Sequence, residues 1–172
     1  NGHISAASNS ALSLATGDWV ALLDHDDVLH PAALFCVVQC LQNNAEIKFI
    51  YTDEDKIDSE GKKFNPHFKP GYNPSLLTSH NYFNHLSVLK RSLIEELGGF
   101  RLGYEGAQDY DLFLRYIERI QPEEIFHIPF PLYSWRTSHH STARTISSKN
   151  YAGDSGVLAL SDHYQRLGQK VR

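Results

Sequence analysis

The stretch Trp19-Val-Ala-Leu-Leu-Asp-His-Asp-Asp27 joins a short apolar run directly to three carboxylates that fall within four residues. The five apolar residues 19–23 predict a strand that is buried on both faces. The acidic residues follow at the carboxyl end of this strand, which is where open α/β sheets collect their ligands. The stretch therefore predicts both the class of fold and the place where a ligand would bind.

Helices are predicted on both sides of this strand. Apolar spacing indicates a helix over residues 3–16 that ends at Gly17, and another over residues 33–41 that begins near Pro31. Residues 49–51 predict a second buried strand, again followed by acidic residues. Because strands alternate with helices, the sequence predicts an α/β fold.

The second half of the chain continues this pattern, and a single domain over residues 1–172 is expected for a chain of this length. The further predicted elements are a long polar loop over 56–74, a strand over 85–89, a helix over 91–97 ended by Gly98-Gly99, a helix over 109–120, short strands over 125–128 and 132–135 separated by prolines, and a closing helix over 150–167, within about 145–172.

Composition excludes several classes of function. A net charge of -4 argues against a general nucleic-acid binder, and no apolar run is long enough to span a bilayer. We therefore expect a soluble, cytoplasmic protein that would touch a membrane only peripherally. Cys36 and Cys40 are interpreted as small buried hydrophobes, the alternative being a metal or redox pair. The chain lacks Met and begins at Asn1, which is typical of a fragment or a processed chain.

The acidic turn that includes Asp24, Asp26 and Asp27 predicts a bound cation. Three neighbouring carboxylates repel one another unless a positive charge lies between them, and carboxylate oxygens suit Mg²⁺ or Mn²⁺. Asp24 and Asp26 point to the same side if strand geometry continues through them. The alternative is that Asp26 or Asp27 caps the helix that begins near Pro31.

The same acidic turn also fits the nucleophile motif of haloacid-dehalogenase-type phosphatases, with Asp24 as the attacking residue. That motif requires a later pair of acids, and Gly153-Asp154 is followed by Leu158 where the second acid should be. The phosphatase hypothesis therefore rests on a short match with a high risk of coincidence.

Several segments together resemble the bacterial family 2 glycosyltransferases with the GT-A fold. They are Asn1–Asn9, Leu23–Asp27 and Gln108–Leu112. The resemblance is nearest to the cell-surface polysaccharide, or O-antigen, subgroup through Tyr51–Asp55, Lys69–Pro74, Gly98–Arg101 and Trp135-Arg136. It implies a three-layer sandwich with a mixed sheet, from which the first nucleotide-binding strands, upstream of the segment like Asn1–Asn9, are missing.

The resemblance implies a donor site at the acidic turn. Asp26 would coordinate Mn²⁺ or Mg²⁺ bridging the diphosphate of a UDP- or dTDP-sugar, Asp24 would contact the ribose or the donor sugar, and Asp27 would support the metal shell. Asn9 would line the donor side. Arg136 could bind the diphosphate, or it could pair with a surface acid.

The resemblance also assigns the base and a third metal ligand. Asp109 would take the acceptor proton, with Asp111 as the alternate, while the alternative for Asp109 is a first-turn acid that interacts with the helix dipole. His139 or His140 would complete the metal site, unless the pair is simply solvated.

The acceptor is expected to be a growing bacterial glycan, with inversion at the transferred sugar and activity at the inner face of the cytoplasmic membrane. Candidate acceptor residues are Asp53 and Glu54 in the second acidic turn, and His67, Lys69 and Tyr72 in the long loop. The alternative is a folded binding module without turnover. A truncated sheet would expose an edge, so pairing into a homodimer is a further expectation.

Overall fold

The computed structural model describes residues 3–137 and 146–169. They belong to two compact units. The first unit takes its described residues from Asn1–Asp18, Arg91–Arg119 and Thr142–Arg172, and the second takes them from Trp19–Lys90 and Ile120–Ser141.

The second unit is built on a mixed sheet. Its strands are β1 (Trp19–Ala21), β2 (Val28–Leu29), β3 (Phe49–Ile57), β4 (Lys63–His67), β5 (Ser87–Lys90) and β6 (Ile125–Arg136). The order is β1-β5-β3-β6-β2, and β4 pairs with β3. Only β3 and β6 run parallel among these pairs. The expected mixed sheet is therefore present.

Strand β3 is longer than predicted, because the acidic residues that were expected to form a second turn lie inside it. Asp53 and Asp55 are 2% and 6% exposed. Asp53 can be buried because its carboxylate accepts hydrogen bonds from the Lys69 backbone N–H (2.9 Å) and from the His127 ring (2.7 Å). Partners of this kind remove the cost of burying a carboxylate, so pairing with β6 continues through the acidic residues.

Two further predictions were wrong for related reasons. Residues 56–74 are not one loop, since they contain β4, which forms a hairpin with β3. The two short strands around the prolines are a single strand, β6. Its register with β3 jumps from Ile128 to Pro131, and this irregularity accommodates Pro129 and Pro131 within the strand.

Strand β1 is not buried on both faces as predicted. Trp19 and Val20 are half-buried and Ala21 is exposed. The strand lies at one end of the sheet order and pairs only with β5 among the described strands. An end strand cannot be covered as fully as a central one, which explains why the apolar run overstated its burial.

The core of the second unit lies between the sheet and α2 (Ala33–Asn43). Ala33, Val37 and Cys40 of this helix pack with Ile50 and Leu132 from the sheet. Both cysteines have free thiols, and burial raises the pKa of the Cys40 thiol. Cys40 is thus a small core hydrophobe, as predicted. A short helix, α3 (Pro74–Leu77), and a 3₁₀ turn, Pro122–Glu124, complete the helical segments described in this unit.

The first unit is helical in its described residues. Its helices are α1 (His3–Leu14), α4 (Arg91–Glu96), α5 (Gln108–Ile117) and α6 (Ile146–Arg166). Leu112, Phe113 and Tyr116 of α5 are fully buried, as their spacing predicted. Gly98 and Gly99 have φ values of +78° and +72°, so these glycines end α4 in the conformation that favours glycine.

Candidate functional site

The acidic turn is held in place by strand β6. The Asp27 carboxylate accepts hydrogen bonds from the backbone N–H of Arg136 (2.8 Å) and from the Tyr133 hydroxyl. The Tyr133 oxygen also accepts a hydrogen bond from the Asp24 N–H (3.3 Å), and Arg136 Nε donates to the Asp26 carbonyl (2.8 Å). Asp27 and its partners therefore fix the backbone on which the other two acids are carried.

The carboxylates of Asp24 and Asp26 project from this turn, and their side chains are 57% and 52% exposed. The capping alternative is wrong, because α2 has Ala32 at its N-cap and no side chain caps it. The turn thus presents two acids to solvent on a backbone that a third acid holds.

These residues fit a shared metal ion better than a closed protein cage. No group of three His, Cys, Asp or Glu side chains converges for metal binding within residues 3–137 and 146–169. Mg²⁺ and Mn²⁺ are commonly held by one or two carboxylates together with substrate phosphates, and Asp24 and Asp26 supply that ligand type. The proposed ligands His139 and His140 lie outside the described residues.

A histidine that the sequence did not indicate connects the acidic turn to strand β3. Glu54 Oε2 accepts a hydrogen bond from the His85 backbone N–H (2.6 Å) and lies 2.9 Å from His85 Nδ1. His85 Nε2 is 3.9 Å from Asp24 Oδ2, and its ring stacks on Tyr133 with centroids 4.7 Å apart. No motif marks His85, which precedes β5, so only the folded chain reveals its place.

Glu54 is ionised in this setting. Burial would raise its pKa, but hydrogen bonds from His85 and the Lys69 charge outweigh that effect and lower the pKa to about 2. Lys69 Nζ donates to the His85 carbonyl (2.7 Å) and lies 3.9 Å from Glu54. Burial in turn lowers the Lys69 pKa to about 8. Glu54, His85 and Lys69 form one polar cluster.

The predicted acceptor residues separate into two groups. Asp53 and Lys69 are 2% and 5% exposed. The Asp53 carboxylate accepts from the Lys69 backbone N–H, and Lys69 Nζ donates to the His85 carbonyl, so both side chains are used to hold the backbone. Tyr72 is half-buried, with its ring 6.0 Å from that of Phe83. Glu54 and His67, by contrast, line a cavity. Of the predicted acceptor residues, Glu54 and His67 are therefore the ones found at this cavity.

The predicted base lies in the first unit. Asp109 is the second residue of α5, is half-buried, and accepts a hydrogen bond from the Tyr110 N–H (2.7 Å). Asp111 is fully buried and ion-paired with Arg101 and with Arg115 Nη2 (2.8 Å). A carboxylate enclosed by two guanidinium groups is a structural anchor, so the geometry disfavours Asp111 as the alternate base.

Asn9 also has a structural place in the first unit. Its amide donates to the Phe100 carbonyl (2.7 Å) and accepts from the Phe100 N–H (2.8 Å). Both functions of the side chain are therefore committed to the segment after Gly99. This geometry favours a clamp between α1 and that segment over the predicted place on the donor side.

The chain is similar to proteins of a known family. Residues 1–98 match the model of Glycosyl transferase family 2, and the chain belongs to this family. Membership of this family favours the glycosyltransferase hypothesis over the phosphatase hypothesis.

Two curated relatives extend the match beyond those residues. The chain is 51% identical over 170 residues to the uncharacterized protein y4gI of Sinorhizobium fredii, covering 99% of this chain and 19% of that protein. It is 37% identical over 170 residues to the O-antigen biosynthesis protein RfbC of Myxococcus xanthus, covering 99% and 13%. The chain spans less than a fifth of the length of either relative.

A solved structure confirms the fold. Glucosyl-3-phosphoglycerate synthase from Mycobacterium tuberculosis, crystallised with Mn²⁺, UDP and glucosyl-3-phosphoglycerate, matches with a TM-score of 0.58 at 16% identity, covering 99% of this chain and 57% of that one. The predicted GT-A-like α/β class is thus confirmed. Within the described residues, none of the helices combines the length and the apolar character needed to cross a bilayer.

Proposed function

We propose that this chain transfers a sugar from a nucleotide-diphosphate donor to a hydroxyl group of a bacterial cell-surface glycan, with inversion and with a divalent cation. The observation that carries the proposal is the acidic turn, where Asp27 is held by β6 while Asp24 and Asp26 are presented to solvent. The name of the Myxococcus xanthus relative and the Mn²⁺ and UDP in the solved structure support this choice of chemistry.

On the donor side, Asp26 is the proposed ligand of Mn²⁺ or Mg²⁺, and Asp24 the proposed contact to the ribose or the donor sugar. The cation, when bound, supplies positive charge that stabilises the departing diphosphate. Arg136 holds the Asp26 carbonyl through Nε. We propose that its guanidinium also binds the diphosphate, since one guanidinium can serve several oxygen acceptors.

On the acceptor side, Asp109 is the proposed general base. A carboxylate in hydrogen-bond reach of the attacking hydroxyl can accept its proton as the new glycosidic bond forms and the bond to the diphosphate breaks. Inversion follows from a single displacement of this kind, which needs no covalent sugar–protein intermediate. We further propose that residues 1–172 act as one catalytic domain, because the family match alone includes segments of both units.

Thermal unfolding with Mn²⁺, alone and with UDP- and dTDP-sugars, tests the donor half. A ligand that binds only the folded protein must raise the Tm, by an amount that grows with its concentration. We expect Mn²⁺ and one nucleotide sugar together to raise the Tm of the wild type, and Asp26→Asn to remove this shift. Glu46→Gln, an exposed acid of the second unit, is the matched control and should keep the full shift.

The possible results separate the alternatives. If none of the nucleotide sugars raises the Tm in the presence of Mn²⁺, the proposal is contradicted for this chain. A shift without transfer to any glycan acceptor would support the binding-module alternative. Transfer that is lost in Asp26→Asn but kept in Glu46→Gln would establish the proposed donor site.

A further inference from the structure

The second unit contains a cavity of about 390 Å³ whose chemistry differs from that of the acidic turn. This volume falls within the ~300–1,000 Å³ that is typical of small-molecule sites. Glu54, Lys56, Asn65, His67 and Trp135 are among its lining residues. One large aromatic ring is thus surrounded by side chains that donate or accept hydrogen bonds.

The strand register explains why these residues converge. His67 of β4 lies opposite Glu54 of β3, and Lys56 of β3 lies opposite Trp135 of β6. The pairing of β3 with β4 is irregular between Glu54 and Lys56. Asn65 is the middle residue of β4 and has a φ of +50°, which Asn tolerates better than most residues. The hairpin thereby forms one wall and β6 the other.

Trp135 is half-buried and presents part of its ring to the cavity. The Lys56 ammonium lies over one face of that ring, 5.2 Å from its centroid, so a bound sugar would contact the part of the ring that Lys56 leaves uncovered. A pyranose ring has an apolar C–H face suited to an aromatic surface, and hydroxyl groups at its edge suited to amide, imidazole and carboxylate partners. Asn65 and His67 are both exposed and can supply such partners.

The charges in the wall are paired with one another. Glu54 is 3.5 Å from His67 Nδ1, and Asp55, which also lines the cavity, is 3.3 Å from Lys63 Nζ. Lys56 adds a cation to the same wall. The lining therefore offers both donors and acceptors to the hydroxyl groups of a sugar.

We propose that this cavity binds a pyranose residue of the acceptor glycan, with Trp135 as the aromatic contact and Asn65 and His67 as hydrogen-bonding partners. The assignment rests on the proposed function, and it adds the place where the acceptor sugar binds. Glu54 joins the two sites, since it lines the cavity and contacts His85, whose Nε2 is 3.9 Å from Asp24.

Tryptophan fluorescence of the 172-residue chain tests the proposal, because the sequence contains only Trp19 and Trp135. In a Trp19→Phe background the signal comes from Trp135 alone. We expect methyl hexopyranosides to change this signal saturably, with a Kd in the millimolar range. Saturation-transfer difference NMR on the same glycosides gives a second readout that does not depend on fluorescence.

Variants locate the binding. Asn65→Gly removes the amide and still tolerates a positive φ, so it should fold and should weaken glycoside binding several-fold. Trp135→Phe keeps a ring and should weaken binding in the NMR experiment. Lys62→Gln, an exposed residue of the same hairpin outside the cavity, should leave binding unchanged.

Two results would overturn the assignment: no binding of any methyl hexopyranoside by either readout, or unchanged binding in both Asn65→Gly and Trp135→Phe. The Tm shift with Mn²⁺ and a nucleotide sugar is measured on the same variants. If that shift persists while glycoside binding fails, the cavity assignment alone is wrong. If the shift is absent in the wild type, the proposed donor function is wrong, whatever the cavity binds.

Discussion

At the scale of single residues, the acids of this chain differ in burial and in hydrogen-bond partners. Some hold the backbone in place, and others are exposed to a ligand. Asp27 and Asp53 give their carboxylates to neighbouring donors, whereas Asp24 and Asp26 remain exposed. Such a division is expected where a backbone turn must stay fixed while its side chains receive a ligand, because residues that orient the ligand-binding groups affect affinity almost as strongly as those groups themselves.

Asp27→Asn tests the supporting role. Asn cannot accept the hydrogen bonds of both the Tyr133 hydroxyl and the Arg136 N–H through two carboxylate oxygens, so one donor loses its partner. We expect a loss of about 1–3 kcal/mol in stability and a roughly tenfold weaker Mn²⁺-dependent donor affinity, measured by thermal unfolding and calorimetric titration. Tyr133→Phe removes one of the two donors to Asp27 together with the acceptor of the Asp24 N–H, so it should also weaken the donor affinity. Unchanged affinity in Asp27→Asn would contradict the role.

Glu54→Gln tests the buried charge through pH. The pKa of Glu54 is lowered from 4.5 to about 2, so its ionisation stabilises the folded state above pH 4.5, and that stability is lost as pH falls towards 2. The difference in unfolding free energy between wild type and Glu54→Gln should be on the order of 3 kcal/mol near neutral pH and should shrink through this window. Glu46→Gln should show no such pH-dependent difference. A difference that stays constant with pH would refute the lowered pKa.

At the scale of elements, the turn after α4 depends on two glycines and on the side chain of Asn9. Gly98 and Gly99 both have positive φ, but a Cβ on Gly99 would lie 2.5 Å from Asn9 Oδ1, whereas a Cβ on Gly98 would meet nothing within 4 Å. Asn9 cannot move without breaking its two hydrogen bonds to Phe100. The second glycine is therefore required by a contact as well as by its backbone conformation.

The two glycines form a matched pair for mutation. Gly98→Ala should cost about 1–2 kcal/mol, the usual penalty of a left-handed conformation for a residue with a Cβ. Gly99→Ala should cost about 1–3 kcal/mol more, because the Asn9 hydrogen bonds are lost or distorted. Denaturant unfolding measures both. Equal losses would show that the clamp by Asn9 contributes nothing.

At the scale of the whole molecule, the proposed base and the proposed donor residues can be tested by separate measurements. Asp109→Asn should abolish transfer to a glycan acceptor and leave the Tm shift with Mn²⁺ and nucleotide sugar intact, because it removes only the proton acceptor. Asp111→Asn should instead lower stability by about 3–5 kcal/mol, since it removes the buried negative charge that Arg101 and Arg115 share. Substantial turnover by Asp109→Asn would refute its role as base.

The longer helices, α1, α2, α4, α5 and α6, could be predicted from the sequence because apolar spacing and glycine positions are local signals. The helices around Val37 and Phe113, the stop at Gly98-Gly99 and the acidic turn were all found in this way. The extension of β3 through Asp53 and the union of the two segments of β6 could not be found, because each depends on hydrogen bonds or register with a distant strand.

The sequence by itself determined the family and located the acidic turn, since both depend on contiguous segments of the chain. Only the tertiary structure decided which carboxylates are available to a ligand. Asp24, Asp27, Asp53 and Asp111 are the same residue type, and what separates them is burial and the partners that the fold brings to each one. The same holds for His85 and for the cavity beside Trp135, because strand pairing assembles both from residues that are far apart in the chain.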